Sequence, residues 1–142
     1  MDSATRFHLS LVTADLDGQR AFYIELLGCA PARIGADFEN FDFFGHQLTF
    51  HARASSLDLP YASFHFGAIV SRSEFERVAG RLLTARVPFL IEPQTQDAGS
   101  ALERRKMVFL DPSGYAVELK CYVDESHALS GGAAYPRIPP SD

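Results

Sequence analysis

What the sequence lacks narrows its function first. No window approaches the roughly 18 consecutive apolar residues of a membrane helix. The opening stretch, MDSATRFHLS, has neither the basic nor the apolar region of a secretory signal, so a cytoplasmic protein with no membrane partner is expected. Basic charge is scarce: 13 Lys and Arg stand against 18 Asp and Glu, for a formal charge of −5. The single basic cluster, Arg104-Arg105-Lys106, is too short to track a phosphate backbone, which argues against a nucleic-acid partner. That triplet reads as a solvated loop or the start of a strand. Only two cysteines occur, Cys29 in LLGCAP and Cys121 in ELKCYV. Their apolar surroundings and the absence of CxxC spacing point to buried reduced thiols, not to a disulfide or a zinc knuckle. Eight prolines and ten glycines in 142 residues are too few for a linker or low-complexity chain.

What is present suits a folded domain. Apolar residues make up 46% and charged residues 22% of a chain long enough for one domain, or for two half-domains sharing a core. An internal repeat supports the second description: FHLSLV (7–12) returns as FHFGAIV (64–70), pairing Phe7 with Phe64 and His8 with His65. A helix signal follows each copy. Asp15 is a good N-cap, Phe22, Tyr23, Leu26 and Leu27 recur at helical spacing, and Gly28 supplies the stop. In the second copy Ser73 and Glu76 form a capping box before the stripe Phe75, Val78, Ala79, Leu82 and Leu83, and Val87-Pro88 ends it.

After each helix the apolar period shortens from 3.6 to 2. The first copy gives ARIGADF, ENFDFF and QLTFHA with a Gly45-His46 turn; the second gives PFLIEP, KMVFLD and YAVELKCY with an Asp111-Pro112-Ser113-Gly114 turn. The chain thus reads βαβββ twice, an α+β fold. Module one spans 6–53 and module two 63–123 of a single domain over 1–124, with 52–62 linking the halves, 93–104 a polar loop, and 125–142 an extended C-terminal tail.

Strand parity locates the unusual residues. Phe7, Leu9 and Leu11 share one face and His8 the other; Val117, Leu119 and Cys121 oppose Ala116, Glu118 and Lys120. If the helices cover the apolar faces, His8, His65 and Glu118 all point to the uncovered, concave side. Taken alone, a strand histidine is more often a satisfied polar side chain than a ligand. Two imidazoles and a carboxylate related by a repeat are another matter, because they form the ligand set of the facial triad that binds Fe(II) and leaves positions open.

The paired units, FHLSLVTADLDGQRAFYIELLG near the start and MVFLDPSGYAVELKCY near the end, resemble the vicinal oxygen chelate superfamily over about residues 6 to 124. That group joins glyoxalase I, fosfomycin-resistance transferases, bleomycin-binding proteins and extradiol ring-cleaving dioxygenases. Its F-x-D-P-x-G-x-x-x-E ending is met by Phe109 to Glu118, and FFGHQ with HFG resembles a group of extradiol-dioxygenase-like proteins. The resemblance implies an incomplete barrel around one divalent metal held by His8, His65 and Glu118. Fe(II) leads, with Mn, Zn, Ni or Co sharing the ligand set. The fourth ligand of glyoxalase I would fall at Thr49, a poor donor for a divalent metal, which counts against that enzyme. The serine and tyrosine that fosfomycin enzymes offer a phosphonate fall at Lys106 and Val108, which counts against a transferase.

The same resemblance implies an extradiol-type dioxygenase acting on a small aromatic or vicinal-dioxygen substrate. A metal-dependent lyase or isomerase, or a non-catalytic small-molecule binding module, remains as an alternative. A histidine beside the metal moves the catechol protons in such enzymes. GHQLTF places His46 in that position, with a turn residue as the competing reading; His51, on the face of Thr49, is the rival. The usual extradiol tyrosine falls at Val108, while Tyr122 shares the parity of Glu118 and either faces the pocket or packs in the strand. A homodimer is implied too, with the site closed within one chain or shared between two.

Overall fold

The computed structural model describes residues 5–129. Eight strands form two four-stranded mixed sheets. The first holds β1 (His8–Thr13), β2 (Ala30–Ile34), β3 (Phe38–Phe43) and β4 (His46–Ala52) in the order β1-β4-β3-β2. The second repeats that order with β5 (Phe66–Ile69), β6 (Phe89–Gln96), β7 (Arg104–Leu110) and β8 (Ala116–Tyr122), as β5-β8-β7-β6. In each, the first strand runs parallel to the last and the other pairs are antiparallel. The fold is therefore the α+β arrangement of twin βαβββ modules, and neither sheet closes into a barrel.

The helices start and stop for identifiable reasons. Helix α1 (Leu16–Arg20) is capped by the Asp15 carboxylate, which accepts from the Gly18 N–H at 2.9 Å. It continues as a π-helical segment (Ala21–Leu26), whose wider turn is seen in the Leu27 N–H donating to the Phe22 carbonyl. Gly28, at φ 78°, then ends it. Helix α2 (Arg72–Thr84) begins two residues earlier than the Ser73–Glu76 box implies: Ser71 is the N-cap, its hydroxyl accepting from the Glu74 N–H. Ser71-Arg72-Ser73-Glu74 offers the same Ser-x-x-Glu pattern two residues upstream, and the extended backbone of Ser71 takes it. Arg86, at φ 56°, turns the chain out of the helix before Pro88 is reached.

Two turns and one strand also differ from expectation. The β3–β4 hairpin turns at Phe44 and Gly45, both at positive φ, so the pair is shifted by one residue and His46 opens β4. β6 runs through Pro93 as far as Gln96, because register shifts along its pairing with β7 accommodate a residue that cannot donate on an edge strand. The polar loop shrinks to 97–103, and the basic triplet starts β7. Glu125–Ala128 form a 3-10 turn capped by Asp124; residues 130–142 of the expected tail lie outside the described residues.

One apolar cluster spans both modules, and it lies on the helix-covered faces of both sheets. Tyr23 is fully buried against Phe41 and Phe50, and its hydroxyl donates to Asp111 of module two at 2.8 Å. Gln19 donates to the same carboxylate oxygen at 2.8 Å, while the other oxygen accepts from the Ser113 and Tyr115 N–H groups. Burial pushes the Asp111 carboxyl up, an effect these donors oppose. The Tyr115 hydroxyl donates to the Val12 carbonyl at 2.6 Å and accepts from the Leu57 N–H at 3.0 Å, which ties β1 and the linker to module two. Cys29 and Cys121 are buried free thiols, and burial pushes Cys29 up to about 12. With the shared core inside, the opposite faces of the two sheets are left for other work.

Candidate metal centre

In the second sheet, Gly67 of β5 lies in register with Glu118 of β8. His65, just ahead of β5, directs its Nε2 at the Glu118 Oε2 across 3.7 Å. Its Nδ1 lies 3.4 Å from the Tyr61 carbonyl, and the Tyr61 ring packs on the imidazole at 4.7 Å. A ring with Nδ1 against a carbonyl and Nε2 toward a carboxylate is oriented as a metal-binding histidine is, with Nε2 as the donor. Glu118 is only 7% exposed and has two ammonium groups beside it: Lys106 Nζ at 3.0 Å from Oε1 and Lys120 Nζ at 3.5 Å from Oε2. The hydrogen bond to Glu118 raises the Lys106 pKa, and one to Tyr61 adds to it. His65, Glu118 and Lys120 border an open cleft of about 510 Å³, whose wall also includes Phe7, Phe44 and His46.

The first sheet carries a second cleft, of about 250 Å³, lined by His8, Arg33, Phe38, Asn40, Thr49 and His51 among others. Register explains the grouping: His8 pairs with Gln47, Ser10 with Thr49 and Val12 with His51, so His8, Thr49 and His51 share one face. The buried Thr49 hydroxyl donates to Asn40 Oδ1 at 2.7 Å. The His51 ring lies 6.1 Å from Phe38, and no hydrogen bond engages its nitrogens among the described residues.

The structure thus divides the expected site. His65 and Glu118 come together with Lys106; His8 lies in the other cleft with Thr49 and His51. Among the described residues no group of three or more His, Cys, Asp or Glu is placed to hold a metal within one chain. His46 has the opposite parity to His51 and borders the His65 cleft from the start of β4. Its Nδ1 accepts from the Phe7 N–H at 2.9 Å, so that lone pair is engaged by the backbone. Val108 is fully buried opposite Glu118 and supplies no hydroxyl. Tyr122 pairs with Arg104, whose guanidinium sits 6.0 Å from its ring, and packs in the strand. Two residues outside the expected set stand at the pair: Lys120 beside the carboxylate, whose parity with Glu118 was visible, and Tyr61 against the His65 ring, delivered by the linker with no periodic signal to mark it.

The sequence profile of the Glyoxalase/Bleomycin resistance protein/Dioxygenase superfamily matches residues 6–119, and the chain belongs to that family. The fold is similar to a glyoxalase/bleomycin resistance protein/dioxygenase from Alicyclobacillus acidocaldarius, at 29% identity and a TM-score of 0.75 over 89% of this chain and 98% of that one. It is also similar to a genomically encoded fosfomycin resistance protein, FosX, from Listeria monocytogenes, at 18% identity and a TM-score of 0.69 over 88% and 98%. A glyoxalase/dioxygenase from Nostoc punctiforme matches at 21% identity with a TM-score of 0.68 over 84% and 92%. No curated protein sequence matches the chain.

Proposed function

We propose that the chain is a metal-dependent enzyme for a small vicinal-dioxygen substrate, and that it works as a homodimer. His65 and Glu118 of one copy hold the divalent metal with His8 of the second copy. The observation that carries this reading is the geometry at His65: Nδ1 sits at a backbone carbonyl and Nε2 faces a nearly buried carboxylate. The donor set fits a divalent ion, and the repeat-related His8 lies on the matching face of the other sheet, where among the described residues no group of three or more His, Cys, Asp or Glu gathers within its own chain. A structure of a FosX mutant from Listeria monocytogenes, similar in fold at 16% identity, holds Mn(II) and 1S,2S-dihydroxypropylphosphonic acid. Free buried thiols suit a reducing compartment, the cytoplasm.

The finer reading is an Fe(II) extradiol-type dioxygenase. The metal would supply Lewis acidity toward two adjacent oxygens of the substrate. The protein's own share is proton movement, and His51 suits it better than His46. The lone pair of His46 is already occupied by the Phe7 N–H, whereas His51 is unengaged on the same face as His8. Thr49 spends its proton on Asn40, which keeps the ligand set at three. The phenol missing at Val108 is offered by Tyr61 instead, beside Lys106.

Anaerobic loading with Fe(II) or Mn(II), metal analysis, and oxygen uptake over a catechol panel test both levels. About one metal per chain is expected, lost in His65→Ala. Oxygen-dependent cleavage should fall on the order of 10²- to 10⁴-fold in His51→Ala and much less in His46→Ala. Retained metal in His65→Ala would overturn the metal reading; metal without cleavage would overturn the dioxygenase.

A further inference from the structure

We propose that Lys106 and Lys120 form an acid-binding subsite beside the His65–Glu118 pair. The substrate then carries a carboxylate or phosphonate group in addition to the oxygens it offers the metal. This rests on the metal reading above and adds the chemical class of the substrate.

The two lysines are cross-strand partners on β7 and β8, and both reach Glu118, at 3.0 and 3.5 Å. One carboxylate between two ammonium groups leaves a net charge of +1. The other ionisable groups on the cleft wall beside Lys120 and Glu118 are the imidazoles of His46 and His65, and among the described residues no second carboxylate lines it. The facing cleft that would bring His8 adds Arg33 and, among the described residues, no carboxylate. A divalent ion on Glu118 therefore raises the local charge to +3 in a partly desolvated site, which favours an anion. A neutral diol leaves that charge uncompensated; an acidic group placed between the lysines offsets it.

The geometry also sets an order of binding. Without metal, Lys106 stands against the carboxylate as its counter-ion. A metal that takes Glu118 releases the ammonium, which is then free to hold the acidic group, with the Tyr61 hydroxyl beside it. Metal and anion should thus bind with positive coupling.

Calorimetric titration of the dimer with Mn(II), then with methylphosphonate or acetate, tests this without turnover. Methylphosphonate or acetate should bind roughly tenfold or more tightly once Mn(II) is present, and the tighter of the two identifies the acid. Lys106→Met should bind Mn(II) more tightly, since a competing cation is gone, yet bind the anion roughly tenfold more weakly. Lys106→Arg should restore the anion. Lys120→Met should weaken the anion with little change in metal. A merely structural lysine would not move the two affinities in opposite directions. Wild-type protein that binds no Mn(II) overturns both this inference and the metal reading. Mn(II) binding with anion affinity unchanged in both Met variants overturns the subsite alone.

Discussion

A methyl group on Gly67 would come within 1.6 Å of the Glu118 carbonyl oxygen, far inside any real contact. The obstacle is backbone, so the two strands would have to part, and Glu118 would move with β8. Gly67→Ala is therefore expected to cost on the order of 1–3 kcal/mol in denaturant unfolding. On the proposed metal reading it should also weaken Mn(II) binding, because a Glu118 carboxylate displaced by about an ångström no longer meets His65. An unchanged midpoint and unchanged Mn(II) titration would show that β5 adapts without cost. At this scale the sequence spoke through parity alone. Lys120 and Glu118 stand two apart on one strand, so their common face is readable. Tyr61 is not readable, because a linker residue has no period and reaches His65 only through the turn at 61–63.

The Asp111–Tyr115 turn does more than reverse β7 into β8, because its side chains hold the two modules together. Tyr115→Phe keeps the ring that stacks on Phe50 and removes the hydroxyl between the Val12 carbonyl and the Leu57 N–H. A loss of about 1–2 kcal/mol is expected, since a carbonyl and an amide lose their partner together. The pH dependence has a definite sign. Burial raises the Tyr115 pKa above its ordinary 10.0, so the folded state favours the neutral phenol. That contribution is fully present below pH 10 and is lost as the pH climbs through the raised value. Wild type should therefore lose stability faster than Tyr115→Phe above pH 10, and parallel curves would assign the alkaline loss to other groups. The turn was legible from Asp-Pro-Ser-Gly, and both helices from their stripes. Boundaries were less so: Ser71 and Ser73 each begin a Ser-x-x-Glu, and only the extended backbone of Ser71 chooses between them. Pro93 reads as a strand end until the register shifts beside it are seen.

Parity put His8, His65 and Glu118 on uncovered faces, and those faces are where they lie; which faces meet is a property of assembly that no local pattern encodes. The shared core fixes the two sheets back against one set of helices, leaving His8 in one cleft and the His65–Glu118 pair in another. A two-fold dimer that lays the first cleft of one copy on the second cleft of its partner would complete two equivalent sites at once. Mixing variants tests this directly. His8→Ala and Glu118→Ala homodimers should each bind little Mn(II). After unfolding and refolding together in equal amounts, half of the dimers pair one chain of each kind. In such a dimer one site joins the intact His8 of the Glu118→Ala chain to the intact His65 and Glu118 of the other, while the second site loses both ligands. About a quarter of all sites should then regain wild-type Mn(II) affinity. Sites closed within a single chain would regain none, because every chain still carries its own defect. Recovery in the mixture, with none when either variant is refolded alone, would establish that the metal sits between the two chains.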